Sequence, residues 1–473
     1  MLFSSLTFVF IFLPLVILSY YLLGKRLKNY VLLLFSLFFY GYGCPKFLIY
    51  LIASVIFNYI FALMIDKFKE DKFKARIFLV LGICLNLSII GYFKYSNFIL
   101  ENINLLFKTK FQIANIIMPI GISFYTFHSL SYIIDIYRGN AKVLKNPFTL
   151  LLYISFFPQL VAGPIVRYET VATQLYDRKE TIDKFAAGIQ RFIIGLTKKL
   201  LLANSMGLIA DQIFNMKVDT LSVLSCWIGA VAYTLQIYFD FSGYSDMAIG
   251  LASMFGFSFL ENFNYPYISA SITEFWRRWH ISLGTWFRDY VYIPMGGNRV
   301  NTFKCFRNIF TVWFLTGLWH GASWTFIIWG LYFGVLLTLE KYILRRNIEK
   351  LWSPIQHIYT MFFVIIGWVI FRSPDIYYAA KYIKNMFAIG ATTLVSNEAL
   401  FYITEYKFEF LMAIIFSMPI GIAVKRVIIT LKCRPLQYLL INFTKPIIDI
   451  ALFVIAIIYL TNSTFNPFIY FRF

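Results

Sequence analysis

Two histidines are the side chains best suited to do chemistry in this chain. His320 sits in LWHG, bracketed by Gly317, Trp319 and Gly321, at the centre of a run, 308–339, that holds no Asp, Glu, Lys or Arg. A neutral imidazole can take a proton from an attacking hydroxyl near neutral pH. The flanking glycines permit close backbone approach, and Trp319 offers a stacking wall. His280 sits in FWRRWHISLGTWFRDYVYIPMGGNR, residues 275–299, where Arg277, Arg278, Arg288, Asp289 and Arg299 stand among tryptophans and tyrosines. Charges retained in a lipid-dissolved chain usually have work to do. On a continuous helix Trp276, Arg277 and His280 would share one face, and Glu274 could pair with Arg277 or Arg278.

The other two histidines, His128 and His357, stand alone and read as hydrogen-bonded packing residues. No H-x-x-x-H, H-x-x-H-H or H-E-x-x-H spacing occurs, so no metal site is expected. A second polar island, QIYFDFSGYSDMAIG at 236–250, reads as a kinked helix end near Gly243 facing a cavity. There Asp240 and Asp246 either wall a reaction chamber or serve structure, Asp240 as a helix cap and Asp246 as the partner of an arginine.

The elements that must position these groups are membrane helices. Of 473 residues 60% are hydrophobic, 20% aromatic and only 14% charged, far from ordinary globular usage. Apolar runs suggest about 11–13 transmembrane or re-entrant helices, among them 2–23, 113–134, 147–166, 221–238 and 241–259. The first run lacks a basic leader and a small-residue cleavage site and reads as a retained span. The net charge of +20 comes from basic residues in short breaks between apolar runs, which fits loop orientation and anionic lipid rather than nucleic acid. Lys25, Arg26 and Lys28, then Lys67, Lys69, Lys72, Lys74 and Arg76, frame a hairpin turning near 41–45. Five cysteines in no C-x-x-C spacing indicate neither a disulfide framework nor structural zinc. The 275–299 segment carries too many charges for a lipid-facing helix and should lie at the interface or dip into protein-lined space. The 308–339 run would be about 48 Å long as one helix. That exceeds the roughly 30 Å hydrocarbon core, so it should tilt strongly or break near Gly317 and Gly321.

These stretches, together with MPIGISFYTFHSLSYIIDIYRG from Met118, FFPQLVAGPIVRY from Phe156, and LTGLWHGASWTFIIWG from Leu315, resemble the membrane-bound O-acyltransferase family. The likeness is greatest over 118–339 and favours its bacterial polysaccharide O-acetyltransferase branch. It implies an all-α polytopic membrane protein, a single acyltransferase domain over 1–473, with helices around a central passage. It assigns His320 as the catalytic histidine and His280 as the second motif histidine. Asn298 and Arg299 carry over only as members of the MGGNR turn.

The resemblance further implies a cytosolic acyl thioester such as acetyl-CoA as donor, with no tightly bound cofactor, and an acceptor hydroxyl on the far side of the cell membrane. His320 would be the general base, while His280 would either orient the hydroxyl or stabilise charge on the thioester carbonyl. Arg277, Arg278, Arg288 and Arg299 would hold donor phosphate or else anchor the inner leaflet. Asp240, Asp246, Trp319 and Asn298 are the candidate chamber wall. Polar stretches of about 20 residues or fewer are too short for a folded module. The resemblance implies that an extracytoplasmic serine-hydrolase-like partner reaches the polymer. D-alanyl transfer to teichoic acid, or acyl transfer to peptidoglycan, is the alternative within this class. A secondary transporter or flippase, suggested by intramembrane Asp135, Asp240 and Asp246, is the alternative outside it.

Overall fold

A backbone dissolved in lipid must satisfy its polar groups internally, and a helix does so within one segment. The computed structural model describes residues 1–113, 116–161, 163–391, 393–431, 433–462, 465–467 and 469. Residues 114, 115 and 162, which fall in two of the expected spans, lie outside the described residues. Every regular element described is helical. Six helices are long and apolar enough to cross a membrane: Pro45–Lys67, Lys72–Phe107, Ile182–Phe214, Trp324–Ile348, Ser353–Arg372 and Arg434–Asn462. The pair Lys407–Phe416 and Ile420–Thr430, bent by 62°, would make seven if it is one span. Other expected crossings are realised as shorter or more polar helices.

The chain forms two compact units, Met1–Phe192 with Met247–Leu260, and Ile193–Asp246 with Glu261–Phe473. In the first, the helices Lys28–Gly43 and Pro45–Lys67 are separated by Cys44 alone, the hairpin anticipated from the basic loops. Buried Asn58 and Asn86 exchange amide hydrogen bonds of 3.2 and 2.7 Å, the kind of polar contact that joins helices where the hydrophobic effect cannot. His128 is fully buried in the helix Ile122–Arg138, its ring 5.7 Å from that of Tyr153.

The helix that runs on from the second unit into 247–254 corrects the reading of 236–250. Instead of ending near Gly243, the helix runs unbroken from Val223 to Met254 and merges two expected crossings. Gly243 serves close packing: a Cβ there would lie 2.8 Å from the Gly195 carbonyl. By contrast, the 308–339 run does break. The helices Thr302–His320 and Trp324–Leu339 meet at 321–323, with extended backbone at Gly321 and Ser323 capping the second helix. Their close approach is set by two glycines, since a Cβ on Gly317 would collide with the Phe326 carbonyl and one on Gly330 with the Trp313 carbonyl.

Candidate active site

The helix break puts His320 at a C-terminus, where the side chain leaves the helix and is 6% exposed. Its ring meets those of Trp319, Trp329 and Phe371 nearly edge-on, with centroids 4.9, 5.0 and 5.1 Å away. Behind them Trp329 stacks on Trp368 at 5.9 Å and packs against Trp276 and Phe333. An imidazole in this setting is shielded from bulk water, which strengthens any electrostatic interaction it makes.

The segment that carries His280 is two short helices. In the first, Ile272–Arg278, the Ser271 hydroxyl accepts from the Glu274 N–H at 3.0 Å. Buried Glu340 accepts from the N–H groups of Ile272 and Thr273, at 2.7 and 2.8 Å, and from the Thr273 hydroxyl. A carboxylate at a helix N-terminus satisfies donors left open there and complements the dipole. The helix ends at Trp279, and His280 takes a left-handed conformation, φ 45° and ψ 53°, before Ile281–Phe287 begins. The shared face expected for Trp276, Arg277 and His280 therefore does not form. That backbone costs a non-glycine residue about 1–2 kcal/mol. Here it is held from both sides: the Asn264 N–H donates to the Arg278 carbonyl at 3.0 Å, and the Ile281 N–H to the Asn262 carbonyl at 2.9 Å.

His280 is 4% exposed and lies among Phe241, Phe263 and Trp319, with ring centroids 6.0, 6.2 and 5.8 Å away. Burial pushes its imidazole down to about 3, so the ring is neutral at physiological pH. The indole of Trp319 thus touches both histidine rings, one at 5.8 Å and the other at 4.9 Å. Sequence spacing did not reveal the next contacts. Ser282 Oγ lies 3.5 Å from His280 Nδ1 and donates to Asn262 Oδ1 at 2.9 Å.

The arginines separate. Arg277 lines an open cavity of about 500 Å³ together with Glu274, Glu340, Lys341, Arg345 and Asn298. Trp313 also lines it and packs against Trp276 and Trp329, which leads to His320. Arg278 instead pairs with Glu274 at 2.8 Å and donates to the Asn264 carbonyl, as Arg288 pairs with Asp289 at 2.7 Å. Arg299 is exposed beyond the left-handed Gly296 and Gly297. None of these three lines the cavity. Asn298 sits at its rim, accepting from Tyr292 at 2.5 Å and Lys341 at 2.8 Å.

Asp240 and Asp246 lie within the long helix, so Asp240 caps nothing. It pairs with Lys199 at 2.6 Å, and Asp246 pairs with Lys198 at 2.7 Å. His357 lies 3.1 Å from the Ser269 carbonyl and 3.2 Å from the Ser353 hydroxyl. Among the described residues no three His, Cys, Asp or Glu side chains group as a metal ion would need.

The fold and site define an all-helical, multi-pass membrane protein with two buried histidines joined by an indole. The pattern of the membrane-bound O-acyltransferase family matches residues 140–379. The chain is 45% identical to the probable alginate O-acetylase AlgI of Pseudomonas aeruginosa, over 83% of this chain and 76% of that protein. It is 34% identical to the peptidoglycan O-acetyltransferase of Helicobacter pylori, over 100% and 98% respectively. It is 31% identical to the teichoic acid D-alanyltransferase of Bacillus subtilis, over 54% and 69%. The chain belongs to the membrane-bound O-acyltransferase family and is an O-acyltransferase.

Proposed function

We propose that this protein takes an acetyl group from a cytosolic thioester, with acetyl-CoA as donor, and delivers it across the cytoplasmic membrane for O-acetylation of an extracytoplasmic polysaccharide. The observation that carries the reading is the pair of buried histidines on either side of Trp319, in a chain that aligns with two O-acetyl-transferring relatives over most of its length. His320 accepts the proton of the incoming hydroxyl as its oxygen attacks the thioester carbonyl. The C–O bond forms, the C–S bond breaks, and the thiol leaves with that proton. His280 is the second polar group in contact with the reacting atoms. Arg277 faces the donor phosphates from the cavity that Trp313 connects to the aromatic box. Asp240 and Asp246 hold the helix that carries Phe241 rather than meeting substrate. A serine-hydrolase-like partner outside the membrane passes the acetyl group to the polymer.

Labelled acyl transfer in membranes tests this, with acetyl-CoA and a D-alanyl carrier thioester offered in parallel at matched protein levels. Acetyl transfer that falls about 10²–10⁴-fold in His320→Gln is the expected result. Activity within about threefold of the unmodified protein would remove the general-base role. Preference for the D-alanyl donor would replace the acetyl reading with the activity named for the Bacillus relative.

A further inference from the structure

At the basic end of the first unit a second cavity, of about 200 Å³, is lined by Arg26, Tyr30, Asn146, Phe148, Thr149 and Tyr176 among others, and by no Asp or Glu among the described residues. Its polar lining is rich in donors. Arg26 stands exposed on the turn before the helix Lys28–Gly43, with no ion pair among the described residues. That helix starts beside it without a side-chain cap, so the N–H groups of its first turn are left open. Asn146 caps the facing helix, Pro147–Ser155, by accepting from the Phe148 N–H at 2.9 Å, which leaves its NH₂ to donate elsewhere. Thr149 is only 7% exposed, yet its hydroxyl has no hydrogen-bond partner among the described residues. A buried hydroxyl left open in this way calls for an occupant of the cavity it lines. A guanidinium, an amide NH₂, a buried hydroxyl and an uncapped helix N-terminus around one hollow suit an oxyanion of the phosphate type.

We infer that this cavity holds the phosphate of an anionic phospholipid, bound with its acyl chain along the helix Lys28–Gly43. Tyr30, Leu34, Phe38 and Tyr42 stand four apart on that helix and are 47, 67, 56 and 59% exposed. Residues so spaced share a face. The four make an apolar stripe that begins at the cavity and runs about 18 Å along the helix, close to half of the roughly 30 Å hydrocarbon core. A soluble phosphate compound has no use for such a stripe, whereas an acyl chain can lie along it. Tyr30 and Phe148, with ring centroids 6.1 Å apart, and the exposed Tyr176 flank the mouth, as aromatic side chains do at the level of lipid headgroups. The lining also selects among headgroups. A glycerol phosphate meets donors throughout, while the ammonium of a choline headgroup would face Arg26 and the positive end of the helix dipole.

Native mass spectrometry of the full chain in detergent counts bound lipid, with dioleoyl phosphatidylglycerol, dioleoyl phosphatidylcholine and glycerol 3-phosphate as the probes. One phosphatidylglycerol should bind about tenfold more tightly than phosphatidylcholine, and glycerol 3-phosphate should bind far more weakly than either lipid. Arg26→Ala should weaken phosphatidylglycerol binding about tenfold, since it removes a charge-assisted hydrogen bond. Thr149→Val keeps every charge and nearly the same shape, and it too should weaken binding severalfold. Lys25→Ala removes a neighbouring charge that does not line the cavity and should change binding less than about twofold. Thermal midpoints in lipid-free detergent check that the variants remain folded. If Lys25→Ala costs as much as Arg26→Ala while Thr149→Val costs nothing, the attraction is diffuse and the site does not exist. Glycerol 3-phosphate bound as tightly as the whole lipid would make the occupant a soluble phosphate compound and overturn the lipid assignment. Equal affinity for phosphatidylcholine would overturn the choice of an anionic headgroup.

Discussion

Lys199 Nζ lies 2.6 Å from Asp240 Oδ1, and both side chains are 2% exposed. Two charges so far out of water persist only when paired and further hydrogen-bonded. Here Lys199 also donates to the Pro467 carbonyl, and Asp240 Oδ2 accepts from the Ile469 N–H at 3.0 Å. The pair therefore ties the helix that bears Phe241 to the helical turn at Lys198–Ala203 and to the backbone of Pro467 and Ile469.

Removing one partner leaves the other charge buried alone, at a cost of about 3–5 kcal/mol. Asp240→Ala and Lys199→Met should each reduce folded protein sharply, read as yield after detergent extraction and as thermal midpoint. Asp240→Leu combined with Lys199→Met should recover much of both. If single variants instead fold normally and lose only turnover, Asp240 belongs to the reaction chamber rather than to this brace.

Arg277 and Arg278 are adjacent in sequence, yet only Arg277 lines the cavity, while Arg278 is held by Glu274. Arg277→Ala should raise the apparent KM for the thioester at similar kcat, the signature of lost ground-state binding. Arg278→Ala should leave KM within about twofold, since the partly exposed pair it breaks is worth only about 0.3–0.5 kcal/mol. Equal KM values for the two variants would separate the cavity from donor binding.

His320 was legible because its signal is local: glycines on both sides, an indole next door, and a run too long for one crossing. The break at 321–323 answers to the same facts. His280 was legible as a residue but not as a geometry. A spacing of three or four residues implies a shared face only on a continuous helix, and a left-handed residue held by Asn262 and Asn264 is invisible to that count. Gly243 misled for a related reason, since a glycine in a polar stretch looks like a helix end until the Gly195 carbonyl is found against it. The partners of Asp240 and Asp246 are lysines more than 40 residues earlier, brought close by packing between helices. No short-range pattern marks such pairs.

The neutral, buried His280 links stability to pH. In the unfolded chain a histidine binds its proton near 6.5, whereas in the folded chain burial pushes this one down to about 3. Between those values the unfolded state binds a proton that the folded state refuses, so stability contributed above pH 6.5 is lost as pH falls toward 3. Thermal midpoints in detergent should drop on going from pH 7 to pH 4, and the drop should be smaller in His280→Gln. An identical pH dependence in the two proteins would mean that His280 binds its proton equally in the folded and unfolded states.

The last expectation concerns how the acyl group reaches a polymer. The polar stretches at 167–184, 341–351 and 392–407 are each far shorter than the 50 or so residues an independently folded module needs. His320 and His280 are 6% and 4% exposed within an aromatic box, which a glycan strand cannot enter. On the proposed reading, the hydroxyl that reaches Trp319 comes from a carrier, a side-chain hydroxyl presented by a partner of the serine-hydrolase type. Purified protein in vesicles, given labelled acetyl-CoA and polysaccharide, should turn over donor into polymer only when such a partner is added on the outer side. A partner with its nucleophilic serine changed to alanine should leave the polymer unlabelled. Efficient labelling of polymer by this chain alone would show that the buried histidines are reached by the glycan itself, and the need for a carrier would fall.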